Sequence, residues 1–391
     1  MFNGLEIDML SLGDADCIVV TQWTSFGPQR VLIDGGSGAD APIVCEFLRS
    51  RRFTEFWAVV CTHEHGDHAR GLIKLVQDKS VTIHNGWMHN IRKHVSADGL
   101  RRASAGSSSR AEEVKEVLEL TDELTRAFAS RGLTPQEPLA GSIVAGYPSM
   151  TVLGPSRPFY QQVLQKFTKV DVLRLTPPPS FYAEALSAIG GAGSSTRYRT
   201  LSDLGYLPAQ EPNYGLVPAS LPPSSLGGRL SLLAGVLRNS SVEDNPKTQP
   251  FNDTSTIIGV IFNGEKLLLT GDAGSDALDR VPADWRNLMY MQVPHHGSDG
   301  NLSQSNIERF RPKIANISAR GDMSHPDKAI VNGLIKVGAQ VFSTHKQNPG
   351  HLWFCLGTVP ARADYGPAVP LKGTADPVFN LDWLSRMPAT G

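Results

Sequence analysis

Residues 58–72 read AVVCTHEHGDHARGL. The apolar run FWAVVC (56–61) has the length and composition of a buried strand. His63, Glu64, His65, Asp67 and His68 follow it directly. Imidazole nitrogens and carboxylate oxygens together suit zinc, iron or manganese. The spacing sorts the donors. His63 and His65 alternate along an extended turn and can point to one side. Asp67 and His68 open a helical pattern, HARGLIKLVQ (68–77), and approach from another direction. One short loop can thus serve two neighbouring ions, provided that distant residues complete the set.

Candidates for those residues close other apolar segments. Asp272 ends LLLTGDA (267–273), where a carboxylate can bridge two ions. His295 and His296 end QVPHHGS (292–298); either can ligate, and His296 is preferred because it directly precedes Gly297. Asp34 ends LIDGG (32–36) and is suited to fix the tautomer and orientation of a ligating histidine. Around these, Ser298 and the Gly297 backbone are candidate phosphate contacts. His325, in MSHPDK (323–328), is a candidate to protonate a leaving oxygen or bind a phosphate.

The set of motifs resembles the metallo-β-lactamase fold superfamily, whose HxHxDH signature is matched by HEHGDH and followed in order by GD and HHG. More closely, GDADCIVV, LIDGG, THEHGDHARG, NDTSTIIGVIF, LLLTGDA, VPHHGS and SHP resemble the C-terminal hydrolase domain of the DNA-uptake protein ComEC and its stand-alone relatives. The similarity covers residues 5–95 and about 250–358. It implies a four-layer αβ/βα sandwich with two divalent metal ions, zinc or manganese, at one edge. It carries ligand roles onto His63, His65, Asp67, His68, Asp272 and one of His295 or His296. It departs in two places. Many superfamily hydrolases have a further metal-binding histidine between HxHxDH and GD, and the matching FNDTSTI (251–257) has none; His84 or His89, in TIHNGWMHN (82–90), is a candidate substitute. ComEC-like domains also often carry an acidic residue where His65 stands.

The chain is an α/β protein by its element order. Strands are expected in LEIDMLSL, DCIVVTQW, QRVLIDGG, MTVLGP and TSTIIGVIFNGEKLLL, the last a hairpin about an Asn-Gly turn. Helices are expected in APIVCEFLRSR and AEEVKEVLELTDELTRAFASRG, the latter with Val114, Val117, Leu118, Leu124 and Phe128 on one face and Gly132 at its C-terminal cap. Alternating strands and helices run on to about residue 358. One hydrolase domain is therefore expected over 1–358, with insertions at about 97–145 (helical) and 157–250 (Pro- and Gly-rich), and a tail over 359–391. The 157–250 segment is a candidate surface for a protein partner.

With 391 residues, 40% hydrophobic, and a formal charge of −1, nothing in the composition advertises a nucleic-acid field. Local phosphate contacts are open to Arg101, Arg102, Arg110, Lys313, Arg320, Lys328 and Lys346. Cys17, Cys45, Cys61 and Cys355 lack CxxC spacing and read as thiols of a reducing compartment. The first residues lack the basic start of a signal peptide, and no apolar run reaches the ~20 residues of a membrane helix, so a cytoplasmic, non-membrane location is expected. The expected activity is phosphodiester hydrolysis of DNA, by a hydroxide between the two ions. In it Asp67 and Asp272 serve as ligands and His325 as proton donor. A small ester, lactone or cyclic nucleotide is the alternative substrate, and a metal-stabilised binding module the non-enzymatic one.

Overall fold

The computed structural model describes residues 2–146, 149–170, 249–320, 325–344, 350–362, 368 and 370–371. Most of the 157–250 segment, most of the 359–391 tail and Lys346 lie outside them. Along the chain, β1 (Asn3–Met9), β2 (Ile18–Thr24) and β3 (Gly27–Ile33) are followed by α1 (Ala41–Ser50), β4 (Glu55–Val60), α2 (Gly66–Gln77), β5 (Thr82–Trp87), α3 (Ala97–Ala103) and α4 (Ser109–Ala129). Next come β6 (Ile143–Ala145), β7 (Ser149–Gly154) and α5 (Arg157–Thr168). The remaining elements are β8 (Ile257–Phe262), β9 (Glu265–Leu269), α6 (Ser275–Leu278), β10 (Tyr290–Gln292), α7 (Gln304–Phe310), β11 (Ile314–Ile317), α8 (Lys328–Lys336), β12 (Gln340–Ser343) and β13 (Leu352–Thr358).

Two sheets result, in the orders β13-β1-β2-β3-β4-β5 and β12-β11-β10-β9-β8-β7-β6. Strand alternation sends Leu5, Ile7, Met9, Val20, Ala58 and Val60 of the first sheet against Met150, Val152, Ile258, Val260 and Leu267 of the second. The outer face of the first sheet is covered by Phe47 and Leu48 of α1, Leu72 and Val76 of α2, and Leu120, Leu124 and Phe128 of α4. The outer face of the second carries Leu278 of α6, Ile307 and Phe310 of α7, and Ile330 and Leu334 of α8. The layers are thus helix, sheet, sheet, helix: the α/β, four-layer αβ/βα sandwich that the motifs imply.

Local chemistry explains the boundaries. Asn263 (φ 50) and Gly264 (φ 83) turn β8 into β9, as an Asn-Gly type I′ turn requires. α4 buries Val114, Val117, Leu120, Leu124 and Phe128 and starts at Ser108, whose side chain accepts from the Ala111 N–H. Gly132 (φ 73) caps its C-terminal end as expected: the Leu133 N–H reaches the Phe128 carbonyl and the Gly132 N–H the Ala129 carbonyl. β5, with His84, Asn85 and Gly86 at its centre, and β6, only three residues long, did not stand out in the sequence. All four cysteines are free thiols. Among the described residues no helix is long and apolar enough to cross a membrane.

The topology concentrates chemistry at one edge. β3, β4 and β5 pair in parallel, as do β9, β10, β11 and β12. The C-terminal ends of β3, β4, β9 and β10 deliver Asp34, the 63–68 loop, Asp272 and the 295–296 pair, as open α/β sheets commonly do. α2 is set against the end of β3 by glycine. The Gly71 N–H donates to Gly36 O and the Gly35 N–H to His68 O, each at 2.9 Å. A Cβ on Gly71 would stand 1.9 Å from Gly35 O, so α2 must move for any side chain there.

Two expectations follow. Gly71→Ala should lower the denaturation midpoint by the equivalent of ~2 kcal/mol or more, as overpacking against backbone does, and displace His68; urea unfolding of the variant checks this. Asp253, buried in the short helical turn Pro250–Thr254, is pushed up to about 6 by burial and by Asp276. A carboxyl raised in the folded state stabilises below its unfolded pKa, and that contribution is lost as pH rises through about 6. Asp253→Asn should therefore gain on the parent by on the order of 2–3 kcal/mol between pH 4 and pH 8, measured as the difference in unfolding free energy.

Candidate metal centre

Asp34 sits at the end of β3 with φ 57, a left-handed backbone that Asp tolerates better than most residues. Its carboxylate is buried and accepts three bonds. Thr62 donates its N–H to Oδ1 at 2.7 Å and its hydroxyl to Oδ2 at 2.6 Å, and His68 donates Nδ1–H to Oδ2 at 2.8 Å. The Thr62 hydroxyl hydrogen is thereby committed, so Thr62 Oγ1 can only accept from His63 Nδ1, 3.2 Å away. Both histidines thus keep Nδ1 protonated, with Nε2 turned the other way.

The second sheet repeats the logic with different acceptors. His296 donates Nδ1–H to the Ser318 carbonyl at 2.8 Å. His295 faces Asn301 Oδ1 at 2.7 Å, and the amide's orientation is set because Asn301 Nδ2 donates to the Asp272 carbonyl at 2.7 Å. His295 (φ 46) and His296 (φ 55) both have left-handed backbones, which splays two consecutive side chains into different parts of the site.

The inward imidazole nitrogens of His63, His68 and His295 converge on Asp272, and those of His296 and His65 adjoin them. His63 Nε2 and His295 Nε2 each lie 3.8 Å from its Oδ2. His68 Nε2 lies 3.3 Å from its Oδ1 and 3.7 Å from Asp67 Oδ2. His296 Nε2 is 3.4 Å from Asp67 Oδ2. His65 joins through Nδ1, 3.1 Å from His63 Nε2. Donor atoms of Asp67, His68, Asp272 and His296 lie within 4.8 Å of one another, a group able to hold a metal ion. His68 Nε2 and Asp272 Oδ1 are both buried and make no hydrogen bond. Unmatched buried atoms of opposite character, in a nitrogen–carboxylate set, fit a divalent cation.

Electrostatics point the same way. Burial opposes charge on His68, but Asp272, Asp67 and Asp34 outweigh it and hold the imidazole well above its ordinary pKa. Burial likewise opposes charge on His296, while Asp67 and Asp272 bring it to about 9. Burial would raise Asp272, yet His68, His295 and His296 hold it well below the usual carboxylate range. His63 is pushed well down by burial and by His68 and His65, which keeps it neutral. Protons thus balance the carboxylates, and a cation would displace them. Asp16, behind His68, is raised to about 6 by burial and accepts from Gln292 Nε2 at 2.6 Å.

Other sequence candidates fall elsewhere. Glu64 lies outside the cluster; burial and Glu137 push its carboxyl well up. His84 is on the exposed side of β5, 2.7 Å from Glu55. His89 is buried under Tyr160, with Nε2 at 3.1 Å from Thr256 Oγ1. Neither reaches Asp272. The histidine that shares Asp272 Oδ2 with His63 is His295, each 3.8 Å from it. The Gly297 backbone is differently placed from the expectation of a phosphate contact: its N–H donates to Pro294 O and its carbonyl accepts from Asp327. Ser298 Oγ accepts from the Gly300 N–H at 3.2 Å. His325 is at the site, its ring 5.6 Å from that of His295, with Nδ1 unpartnered.

Thr62, Asn301, Gln292 and the Ser318 carbonyl escaped the sequence reading. Gln292, a polar residue inside the apolar YMQV strand, carried a visible signal; a backbone carbonyl carries none.

No family model and no curated protein matches the sequence. Three solved structures are similar to parts of it. MEM-A1, a subclass B3 metallo-β-lactamase from a soil metagenome library, is 18% identical over 39% of this chain and 49% of its own, with a TM-score of 0.22. A motif mutant of a metallo-β-lactamase from Cronobacter sakazakii is 22% identical over 26% of this chain and 36% of its own, with a TM-score of 0.17. A diphosphatase from the PhnP family is 11% identical over 91% of this chain and 100% of its own, with a TM-score of 0.39. The match thus spans about half of the first lactamase and about a third of the second.

Asp34→Asn should preserve the left-handed turn but lose one acceptor oxygen, freeing the His63 and His68 tautomers. Isothermal titration should show divalent-metal affinity reduced ~10–100-fold relative to the parent.

Proposed function

We propose that this chain is a metal-dependent hydrolase of the metallo-β-lactamase superfamily that holds two divalent ions, zinc or manganese, and cleaves phosphodiester bonds of DNA. The observation that carries the reading is the division of the Asp272 carboxylate between two donor sets. His63 and His295 lie at Oδ2, with His65 beside His63; His68 lies at Oδ1, with Asp67 beside it and His296 beside Asp67. Each set would hold one ion, with Asp272 common to both. His295 then takes the part of the histidine absent from FNDTSTI, and both members of the His-His pair are ligands. Bound there, two ions supply Lewis acidity toward a phosphoryl oxygen and lower the pKa of water.

The chain's own groups do the rest. Asp34, Thr62, Asn301 and the Ser318 carbonyl aim the imidazoles. Asp67 and Asp272, committed as ligands, are poor free bases. His325, whose ring lies 5.6 Å from that of His295, would give a proton to the leaving oxygen, and the Ser298 hydroxyl would donate to a phosphate oxygen. DNA as substrate rests on the ordered resemblance to the ComEC hydrolase domain. Arg110 and Lys328 are exposed and suited to phosphate contacts. Arg101 and Arg102 already pair with Asp98, and Lys313 lies 3.9 Å from Glu265. The 157–250 segment is kept as a candidate partner surface.

Elemental analysis should find about two transition ions per chain, falling sharply in the His63→Ala, His68→Ala double variant. With manganese or zinc the parent should cut linear single- or double-stranded DNA, and Asp67→Ala with Asp272→Ala should abolish this. Cleavage of a small ester, lactone or cyclic dinucleotide but not of DNA would overturn the substrate class. A metal-free, inactive parent would overturn the hydrolase reading in favour of a binding module.

A further inference from the structure

His65 is held differently from the other four histidines. Those are anchored by groups at strand ends or in the adjoining loops. His65 is the N-cap of α2, in extended conformation (φ −92, ψ 156), so no helical turn restrains its ring. Its ring packs edge-on to His63 at 4.7 Å and against Phe251 at 5.1 Å. On the inner side Nδ1 lies 3.1 Å from His63 Nε2, a lone pair, so that contact asks for a proton on Nδ1 and leaves Nε2 to be decided by its own partner. Among the described residues, the side chain that meets Nε2 is that of Glu113, with Oε1 at 3.3 Å.

Glu113 comes from the first turns of α4, inside the 97–145 insertion. That helix is placed firmly. Its apolar face packs into the core beside α2, and Glu116, one turn on, pairs with Arg70 of α2 at 2.9 Å. Arg92 pairs with Asp122 further along. The insertion thus brings a carboxylate to the outer side of His65 while the inner nitrogen, Nδ1, faces His63 Nε2.

We propose that Glu113 is a positioning residue for His65. As a carboxylate it can only accept, so it keeps a proton at Nε2 and turns Nδ1, beside His63 Nε2, toward the ion. The insertion then becomes part of the metal site. The inference rests on the two-ion reading above.

The test uses the full chain and three proteins: parent, Glu113→Gln and Glu113→Ala. Gln retains an acceptor oxygen; Ala does not. Nitrogen-15 NMR of the metal-free proteins should show a proton at His65 Nε2 in the parent and Glu113→Gln, and His65 protonated at Nδ1 alone, toward His63 Nε2, in Glu113→Ala. Zinc titration should show one of the two binding steps weakened ~10–100-fold in Glu113→Ala and largely restored in Glu113→Gln, the other step and the melting temperature unchanged. An unaltered tautomer in Glu113→Ala overturns the proposal. So does an equal loss of affinity in both variants, which would make Glu113 an ion ligand itself. A parent that binds fewer than two ions defeats the two-ion reading, while the metal-free tautomers still decide the role of Glu113.

Discussion

The Asp34 carboxylate is the constraint on which the site depends. It is buried at the end of β3 and receives the Thr62 amide, the Thr62 hydroxyl and the His68 imidazole at 2.6–2.8 Å. These bonds tie three consecutive pieces of the first sheet together: the end of β3, the exit from β4 and the start of α2. A buried carboxylate without partners would be costly; with three donors it becomes a fixed reference. Through Thr62 it also orders His63, which it never touches. The left-handed backbone at Asp34 and the glycine contact between Gly71 and Gly35 serve the same joint, because α2 must come close for His68 to reach.

The site is then a problem in charge neutralisation. Three carboxylates, Asp34, Asp67 and Asp272, meet five imidazoles where water is largely excluded. In the metal-free protein His68 and His296 carry protons to balance Asp67 and Asp272, while burial keeps His63 neutral. The donors are arranged so that every imidazole presents one nitrogen outward to an acceptor and the other inward. That inward convergence, rather than any single contact, distinguishes a cation site from a group of structural histidines.

Much of this was legible in the sequence, and the limits have physical causes. HEHGDH after an apolar run announced donors at a strand end, and LIDGG, LLLTGDA and VPHHGS announced the partners, since each ends an apolar segment with a polar residue that a core would not otherwise tolerate. The Asn-Gly hairpin and the layered order of strands and helices were readable for the same reason: local stereochemistry dictates them. The separate placements of His295, at Asp272, and His296, at Asp67, were not readable. Two successive left-handed backbones produce them, and nothing in the sequence HHG specifies the first. Glu113 was invisible because its partner lies 48 positions away and its helix displays many similar glutamates. The short strands β5 and β6 escaped because their pairing, not their own composition, makes them strands.

The division of the donors has a mechanical consequence. His63, His65, Asp67 and His68 belong to the connection leaving the first sheet; Asp272, His295 and His296 belong to connections leaving the second. Elsewhere the two sheets meet mainly through apolar side chains such as Ile7, Val60, Val152 and Ile258, whose attraction is non-directional and tolerates sliding. At this one edge the sheets meet through atoms whose directions are fixed. A ligand that engages both donor sets therefore adds its binding free energy to the cohesion of the sandwich, and pins the register of one sheet upon the other. Occupancy of the edge and rigidity of the barrier between the two halves are, in this protein, the same variable.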